Sequence, residues 1–358
     1  MKRFLQLIGF VSVFFLGLLA LNYYIFHVLG NLFVLPQNGD FYLLVVSMSI
    51  LYPVAAILEL SLSNRFSGFF YTLASSWVGV AFFLLWGIII YQLLSVFFKI
   101  PSMVAGAIIV TITILVSGYS IFNAFKINVK ESDVIIPGLN KEIRVVQLSD
   151  VHLGPIRNSS YLENVVSKCN QLNPDVLFIT GDLFDGSSRI NENIITALNK
   201  FESPVFFTPG NHDYFQGLNE VFNAISLTKI QLLRNKVVQW AGLQIVGVDY
   251  SYRSGHLKKT LESLKIDSDK PTVLLYHLPD DFVVAKDAGV DLQLSGHTHD
   301  GQFFPFNLLV RLRFPYLGGF YQLGSSSLHV SPGTGTWGPP MRWGSRCEIT
   351  LLNLKNDN

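Results

Sequence analysis

The first third of the chain is apolar almost without interruption. Four runs, at about 4–25, 41–60, 71–98 and 103–125, approach or exceed the ~20 residues a helix needs to cross a bilayer. None contains Asp, Lys or Arg, and their one acid is Glu59, near the end of the second. So long a stretch with so few charges argues against an apolar soluble helical core and for four transmembrane helices. Trp77, Trp86, Tyr71 and Tyr91 fall within the third run, more aromatic than an interfacial belt requires. After residue 125 the texture changes. Short apolar runs at 143–148, 176–180 and 205–208 alternate with helical patterns at 161–172 and 190–198, the first with Ser160 and Glu163 as a capping box. Further strands are expected at 243–248, 272–276, 292–294, 327–330 and 347–352. Strand–helix–strand order of this kind predicts an α/β fold.

Composition sharpens the division. The 358 residues suit about two domains, here 1–125 for the transmembrane region and 126–358 for the α/β region. Hydrophobic residues make up 50% and charged residues 14%, with a mean hydropathy of +0.39. The net charge of +1 offers no basic excess for nucleic acid, so no nucleic-acid partner is expected. Cys169 and Cys347 have no metal-binding spacing and read as two buried thiols. Lys2, Arg3, Arg65, Lys126 and Lys130 lie on one side of the four spans, with Lys99 alone on the other. The positive-inside rule then puts both termini in the cytoplasm, as in a multi-pass inner-membrane protein with a cytoplasmic C-terminal domain.

The candidate chemistry lies in five polar clusters, each directly after an apolar strand. These are Asp150-Val151-His152, Gly181-Asp182-Leu183-Phe184-Asp185, Gly210-Asn211-His212-Asp213, His277, and Gly296-His297-Thr298-His299. Strand ends are where an open α/β sheet gathers its ligands. Any one cluster reads equally well as a turn or as a satisfied polar residue. Five in series do not arise by chance. Asp, His and Asn without Cys suit manganese, iron or zinc.

This series resembles the calcineurin-like metallophosphoesterase superfamily over about residue 141 to the C-terminus. The extended blocks Ser149-Asp150-Val151-His152-Leu153-Gly154 and Ser295-Gly296-His297-Thr298-His299-Asp300-Gly301-Gln302 resemble its membrane-associated branch. That branch includes transmembrane proteins with a metallophosphoesterase domain, bacterial phosphodiesterases and UDP-2,3-diacylglucosamine hydrolases. The resemblance implies an αββα sandwich with two divalent metal ions at one edge. It implies Asp150, His152 and His299 at the first ion, Asn211, His277 and His297 at the second, and Asp182 bridging both. A carboxylate can bridge cations about 3.5–4 Å apart, which suits in-line displacement at phosphorus by a hydroxide they share. His212, beside a ligand, is then free to protonate the leaving oxygen. The resemblance implies Asp185 as the residue that orients it, with Asp213 as the alternative.

Weaker candidates remain. His27, His256 and His329 read as structural or solvent-facing. Arg157, Asn158 and Tyr214 are near ligand blocks and read as either substrate contacts or surface loop. The turn-rich segment 331–342 approaches the site or serves backbone geometry. The run 303–317 is too short to span a bilayer; it reads as a buried helix or as an interfacial segment with Arg311 and Arg313 on anionic lipid. The expected function is a membrane-anchored hydrolase of phosphodiester or diphosphate bonds. The expected substrate is a phosphorylated lipid or a nucleotide-linked lipid such as UDP-2,3-diacylglucosamine, drawn from the lipid bilayer. The alternatives are a membrane sensor or transport-associated protein with a phosphoesterase-derived binding domain, and a phosphatase of soluble or protein substrates. Ion transport is disfavoured because the spans offer only Glu59 as an ionisable group.

Overall fold

The computed structural model describes residues 2–356, with side chains from Phe15 onward. The chain divides into two units. The first runs to Phe122 and takes in Gly338–Met341; the second is Asn123–Trp337 with the segment from Arg342 onward.

The first unit is built from four helices, α1 (Lys2–Leu32), α2 (Gly39–Leu62), α3 (Arg65–Ser95) and most of α4 (Ser102–Phe125). All four are long and apolar enough to cross a membrane. Between 22% and 39% of each apolar window is buried by protein, so the greasy surface faces outward, as a lipid-facing helix requires. Polar side chains tie the helices together. Asn22 Nδ2 donates to Ser49 Oγ (3.2 Å), and Trp77 Nε1 donates to Asn22 Oδ1 (3.0 Å), which joins α1, α2 and α3. Trp77 also stacks on Phe26 at 5.7 Å, so it is a packing residue. Asn38 caps α2, and Asn64 with Ser67 forms a capping box that starts α3 at Arg65, six residues before the expected start. α3 ends at Ser95, short of the expected 98. The side chains of Lys2 and Arg3, on which the orientation partly rests, lie outside the described residues, as does Asn358.

The second unit is the αββα sandwich. Its strands in chain order are β1 (Ile127–Ile135), β2 (Ile143–Leu148), β3 (Val176–Thr180), β4 (Val205–Thr208), β5 (Gln231–Leu232), β6 (Lys236–Trp240), β7 (Leu243–Val248), β8 (Thr272–Tyr276), β9 (Leu292–Ser295), β10 (Gly319–Leu323), β11 (Ser326–Val330) and β12 (Cys347–Lys355). Its helices are α5 (Ser159–Gln171), α6 (Glu192–Leu198), α7 (Asn211–Gln216), α8 (Leu218–Ser226), α9 (His256–Ser263), α10 (Phe282–Asp287) and α11 (Phe306–Arg313). One sheet has the order β1-β12-β2-β3-β4-β5 and the other β10-β11-β9-β8-β7-β6. In each, the central strands run parallel, and an antiparallel pairing lies toward an edge.

Burial on both faces explains why these strands are continuous apolar runs. Val145, Phe178 and Phe206 of the first sheet pack against Ile245, Val273 and Leu292 of the second, forming the layer between the sheets. The outer face of the first sheet packs on Leu162, Val165 and Cys169 of α5 and on Ile194 and Leu198 of α6. The outer face of the second packs on Leu257 and Leu261 of α9 and Ala285 of α10. Both cysteines are free and buried.

Several expectations need correction. The cap of α5 is Asn158, whose side chain accepts from Tyr161 N at 3.2 Å, two residues before the Ser160 of the expected Ser160–Glu163 box. Glu163 instead pairs with Lys200 at 2.6 Å. Arg157 is neither a surface-loop residue nor a substrate contact. It is fully buried, donates to Ala124 O (2.7 Å) and stacks between the rings of Phe125 and Tyr161. The run 303–317 is helical in its centre, but α11 has no buried residue. Leu308, Leu309 and Leu312 are 54%, 58% and 84% exposed, while the flanking Phe303, Phe314 and Leu317 anchor the segment. The buried-helix reading of this run therefore fails.

Candidate metal centre

The sheets bring their strand ends together at one edge. β2 delivers Asp150 and His152, β3 delivers Asp182 and Asp185, and β4 leads into Asn211 and His212 at the start of α7. From the other sheet, β8 delivers His277 and β9 delivers His297 and His299. The ligand atoms of Asp150, His152 and His299 all lie within 4.8 Å of one another, and so do those of Asp182, His277 and His297.

Asp182 stands between these groups. Its Oδ2 is 3.8 Å from His152 Nε2 and 3.3 Å from His277 Nε2. Its Oδ1 accepts from the backbone N–H of His212 at 2.8 Å, which fixes the carboxylate plane. Asn211 Oδ1 lies 3.2 Å from His277 Nε2, and His297 Nδ1 lies 3.3 Å from the same nitrogen. On the other side His299 Nε2 is 3.1 Å from His152 Nε2 and 3.3 Å from Asp150 Oδ1.

The local backbone is held in an unfavourable form. Asp150, His152, Asp182, His297 and His299 all have positive φ, at 52°, 52°, 52°, 71° and 52°. For residues with a Cβ this costs on the order of 1–3 kcal/mol each and persists only where the surroundings enforce it. Enforcement is visible. Asp150 N donates to Gly181 O (3.0 Å), His152 N to Asp182 O (3.1 Å), and His297 N to both oxygens of Asp150 (3.1 and 3.0 Å). Gly296 allows the last contact, because a Cβ there would collide with Ser149 Oγ and Asp150 Oδ2.

Burial sets the electrostatics. Desolvation works against the Asp182 charge, but the surrounding His277, His212 and His152 outweigh it and hold the carboxyl well below its usual range. Burial would lower His277, yet the carboxylates of Asp182 and Asp150 push it up to about 9. Burial, then the charge on His277, lowers His297 to about 3. Buried carboxylates among converging imidazole nitrogens are a donor set that fits divalent cations.

The comparisons agree. The model of the calcineurin-like phosphoesterase family matches residues 143–301, a span that contains all nine candidate site residues. A metallophosphoesterase of Aquifex aeolicus is 34% identical over 258 residues, which cover 68% of this chain and 98% of that one. The chain belongs to the calcineurin-like phosphoesterases. A metallophosphoesterase of Campylobacter jejuni is 38% identical over 245 residues, 66% of each chain, so this chain spans just under two thirds of that relative. The bovine "transmembrane protein with metallophosphoesterase domain" is 35% identical over 246 residues, 61% of this chain and 54% of that one. Four long apolar helices, alongside relatives named as transmembrane proteins, mark this phosphoesterase as a membrane protein. Its fold and donor set are those of a metal-dependent phosphoesterase.

Within this phosphoesterase site some roles differ in detail from expectation. His212 Nδ1 donates to the backbone oxygen of Asp185 at 2.7 Å, so Asp185 orients His212 through its main chain. The Asp185 carboxylate instead meets His152 Nδ1 at 3.2 Å and also accepts from Ser187 Oγ. Asp213 does not orient His212. Its buried carboxylate accepts from Gly210 N (2.8 Å) and Phe184 N (3.0 Å), tying two ligand loops together. The Tyr214 ring packs 5.9 Å from that of Tyr250. His329 is buried on Gln147 (2.6 Å), His256 meets the Asp249 carbonyl (3.0 Å), and His27 meets Gln37 (2.8 Å).

The segment 331–336 does reach the centre, by its backbone: Thr334 N donates to Ser149 O and Gly335 N to Asp150 O, both at 2.8 Å. Arg342, at the end of the 331–342 segment expected to approach the site, is buried, donates to His299 O (3.0 Å) and lies 3.2 Å from His299 Nδ1. Tyr252 Oη lies 2.7 Å from His297 Nε2. Neither is in a ligand block, and Tyr252 is revealed by tertiary contact alone.

Proposed function

We propose that this protein is a membrane-anchored dinuclear-metal phosphohydrolase that cleaves phosphodiester or diphosphate bonds in a lipid or lipid-linked nucleotide, of which UDP-2,3-diacylglucosamine is the specific candidate. The observation that carries the reading is the Asp182 carboxylate, set between His152 on one side and His277 on the other. Asp150, His152 and His299 would hold one ion, Asn211, His277 and His297 the other, and Asp182 both. Manganese, iron or zinc suits these donors. When bound, such ions supply Lewis acidity, which neutralises charge on the phosphate and makes water a nucleophile at neutral pH.

The chain's own groups complete the chemistry. His212 keeps its Nδ1 proton on the Asp185 carbonyl, so Nε2 is the atom that delivers a proton to the leaving oxygen. The Asp185 carboxylate keeps a proton on His152 Nδ1 and leaves Nε2 facing the centre. Gly210 and Gly296 allow the loops to close on Asp182 and Asp150, where a Cβ would collide with those carboxylates.

Two features favour a lipid substrate. Four apolar helices in the same chain would tether it to a bilayer, where a lipid has a high local concentration. α11, beginning seven residues after His299, exposes Leu308, Leu309 and Leu312 with Arg311 and Arg313 in its last turn. Apolar residues beside arginine suit the interface of an anionic membrane. Arg65, Lys126 and Lys130 favour a cytoplasmic site, and an alkaline phosphatase fusion at the C-terminus active outside the cytoplasm would overturn that orientation.

Substrate class is tested with purified full-length protein in nanodiscs, supplied with manganese. Acylated diphosphates and phosphodiesters should be cleaved at much higher kcat/KM than their deacylated headgroups. Leu308→Ser with Leu312→Ser should lower turnover of the acylated substrate and spare a small aryl diester. Equal kcat/KM for acylated and deacylated forms would point to a soluble phosphodiester instead.

A further inference from the structure

A histidine that binds an ion through one ring nitrogen carries its proton on the other, and that proton needs an acceptor. His297 has two distinct ring environments. Nδ1 faces His277 Nε2 at 3.3 Å, on the side where Asp182 and Asn211 converge. Nε2 meets Tyr252 Oη at 2.7 Å. The Tyr252 ring in turn packs edge-on against that of Tyr250 at 5.1 Å, and the Tyr250 ring packs 6.2 Å from that of His277. Phe314 closes the remaining side of His297, edge-on at 5.1 Å, and offers no polar atom.

We propose that Tyr252 is a positioning residue for the second ion: its hydroxyl oxygen accepts the His297 Nε2 proton, which fixes the tautomer that leaves the Nδ1 lone pair free to ligate. This inference rests on the dinuclear reading above. The arrangement differs from that of His152 and His277. Asp185 carboxylate holds the distal nitrogen of His152, and the Thr180 carbonyl that of His277 at 2.8 Å. Both of those acceptors are part of the strand-end framework. Tyr252 sits on the loop after β7, is 57% exposed as a residue, and lines a cleft of about 310 Å³ with Arg253, Arg313 and Tyr316. The second ion would therefore be held through a hydroxyl that also lines this cleft.

The test is a manganese titration of the full-length protein in detergent, with bound metal counted by elemental analysis and melting temperature followed in parallel. Tyr252→Phe removes one oxygen from an exposed residue, so the fold is retained. Wild type should bind two equivalents. Tyr252→Phe should bind the first with unchanged affinity and the second about ten- to hundredfold more weakly. Tyr316→Phe, in the same cleft but on no ligand, should match wild type. If Tyr252→Phe binds both ions as wild type does, or weakens both equally with a fall in melting temperature, Tyr252 does not position His297. If wild type itself takes up fewer than two ions, the dinuclear reading fails, and this inference with it.

Discussion

The two sheets contribute different chemistry to one edge. Apart from His152, the first sheet supplies oxygen donors: Asp150, Asp182 and Asn211. The second supplies imidazoles alone: His277, His297 and His299. Neither sheet alone offers the mixed donor set that a divalent cation of this class prefers. The centre therefore exists only when the sandwich closes, and closing it gathers buried carboxylates and strained backbone at one place. Metal binding should consequently act as a clasp between the sheets.

The sharpest way to break that contrast is to remove the one group that faces both halves. Asp182→Asn should nearly abolish hydrolysis and lower bound metal below two equivalents, as counted by elemental analysis. Wild-type turnover with two full equivalents would refute the bridging role. His212→Ala removes no proposed donor, although the His212 ring packs edge-on against that of His152 at 4.6 Å. It should keep its metal and lose roughly 10²–10⁴-fold in rate, with a smaller loss for substrates whose leaving groups need no proton. An equal loss across a leaving-group series would show that His212 acts by charge alone.

The clasp itself is tested without catalysis. Saturating manganese, at 100 times its dissociation constant, should stabilise the second unit by about 2.7 kcal/mol per site, read as a raised melting temperature that chelator reverses. A melting temperature indifferent to metal would mean the sheets close independently of the ions. The smallest effect comes from a strained turn with no proposed function. Ala241 and Gly242 join β6 to β7 with φ of 50° and 88°. Ala241→Asn should raise stability by roughly 0.5–1 kcal/mol, because Asn tolerates this geometry better than Ala. The same backbone form should thus be relievable in a hairpin, whereas at the candidate ligands hydrogen bonds hold it in place.

Much of this architecture was legible in the sequence. The four candidate spans showed as apolar runs with Glu59 as their one acid, since a bilayer tolerates few ionisable groups. The central strands of both sheets showed as apolar runs, because layers cover them on each face. Edge elements were missed. β1 (Ile127–Ile135) carries Lys130, Glu131 and Asp133, and β10 (Gly319–Leu323) is largely exposed, so neither presents an apolar run. The α5 cap was misplaced by two residues because Ser160 and Glu163 satisfy a local pattern, whereas Asn158 wins by its actual backbone angles.

The sequence by itself determined the donor types, their order and their place after strands, because metal chemistry restricts each position to a few side chains. It also determined which segments are apolar enough for a membrane. Only the tertiary structure decided which oxygen of Asp185 serves His212, that Asp213 ties loops together, that α11 stands exposed, and that Tyr252 and Arg342 touch metal-site histidines. Those contacts join residues distant in the chain, such as Tyr252 with His297 and His299 with Arg342. No local pattern encodes them, because they depend on how two sheets are packed and not on the residues beside them in sequence.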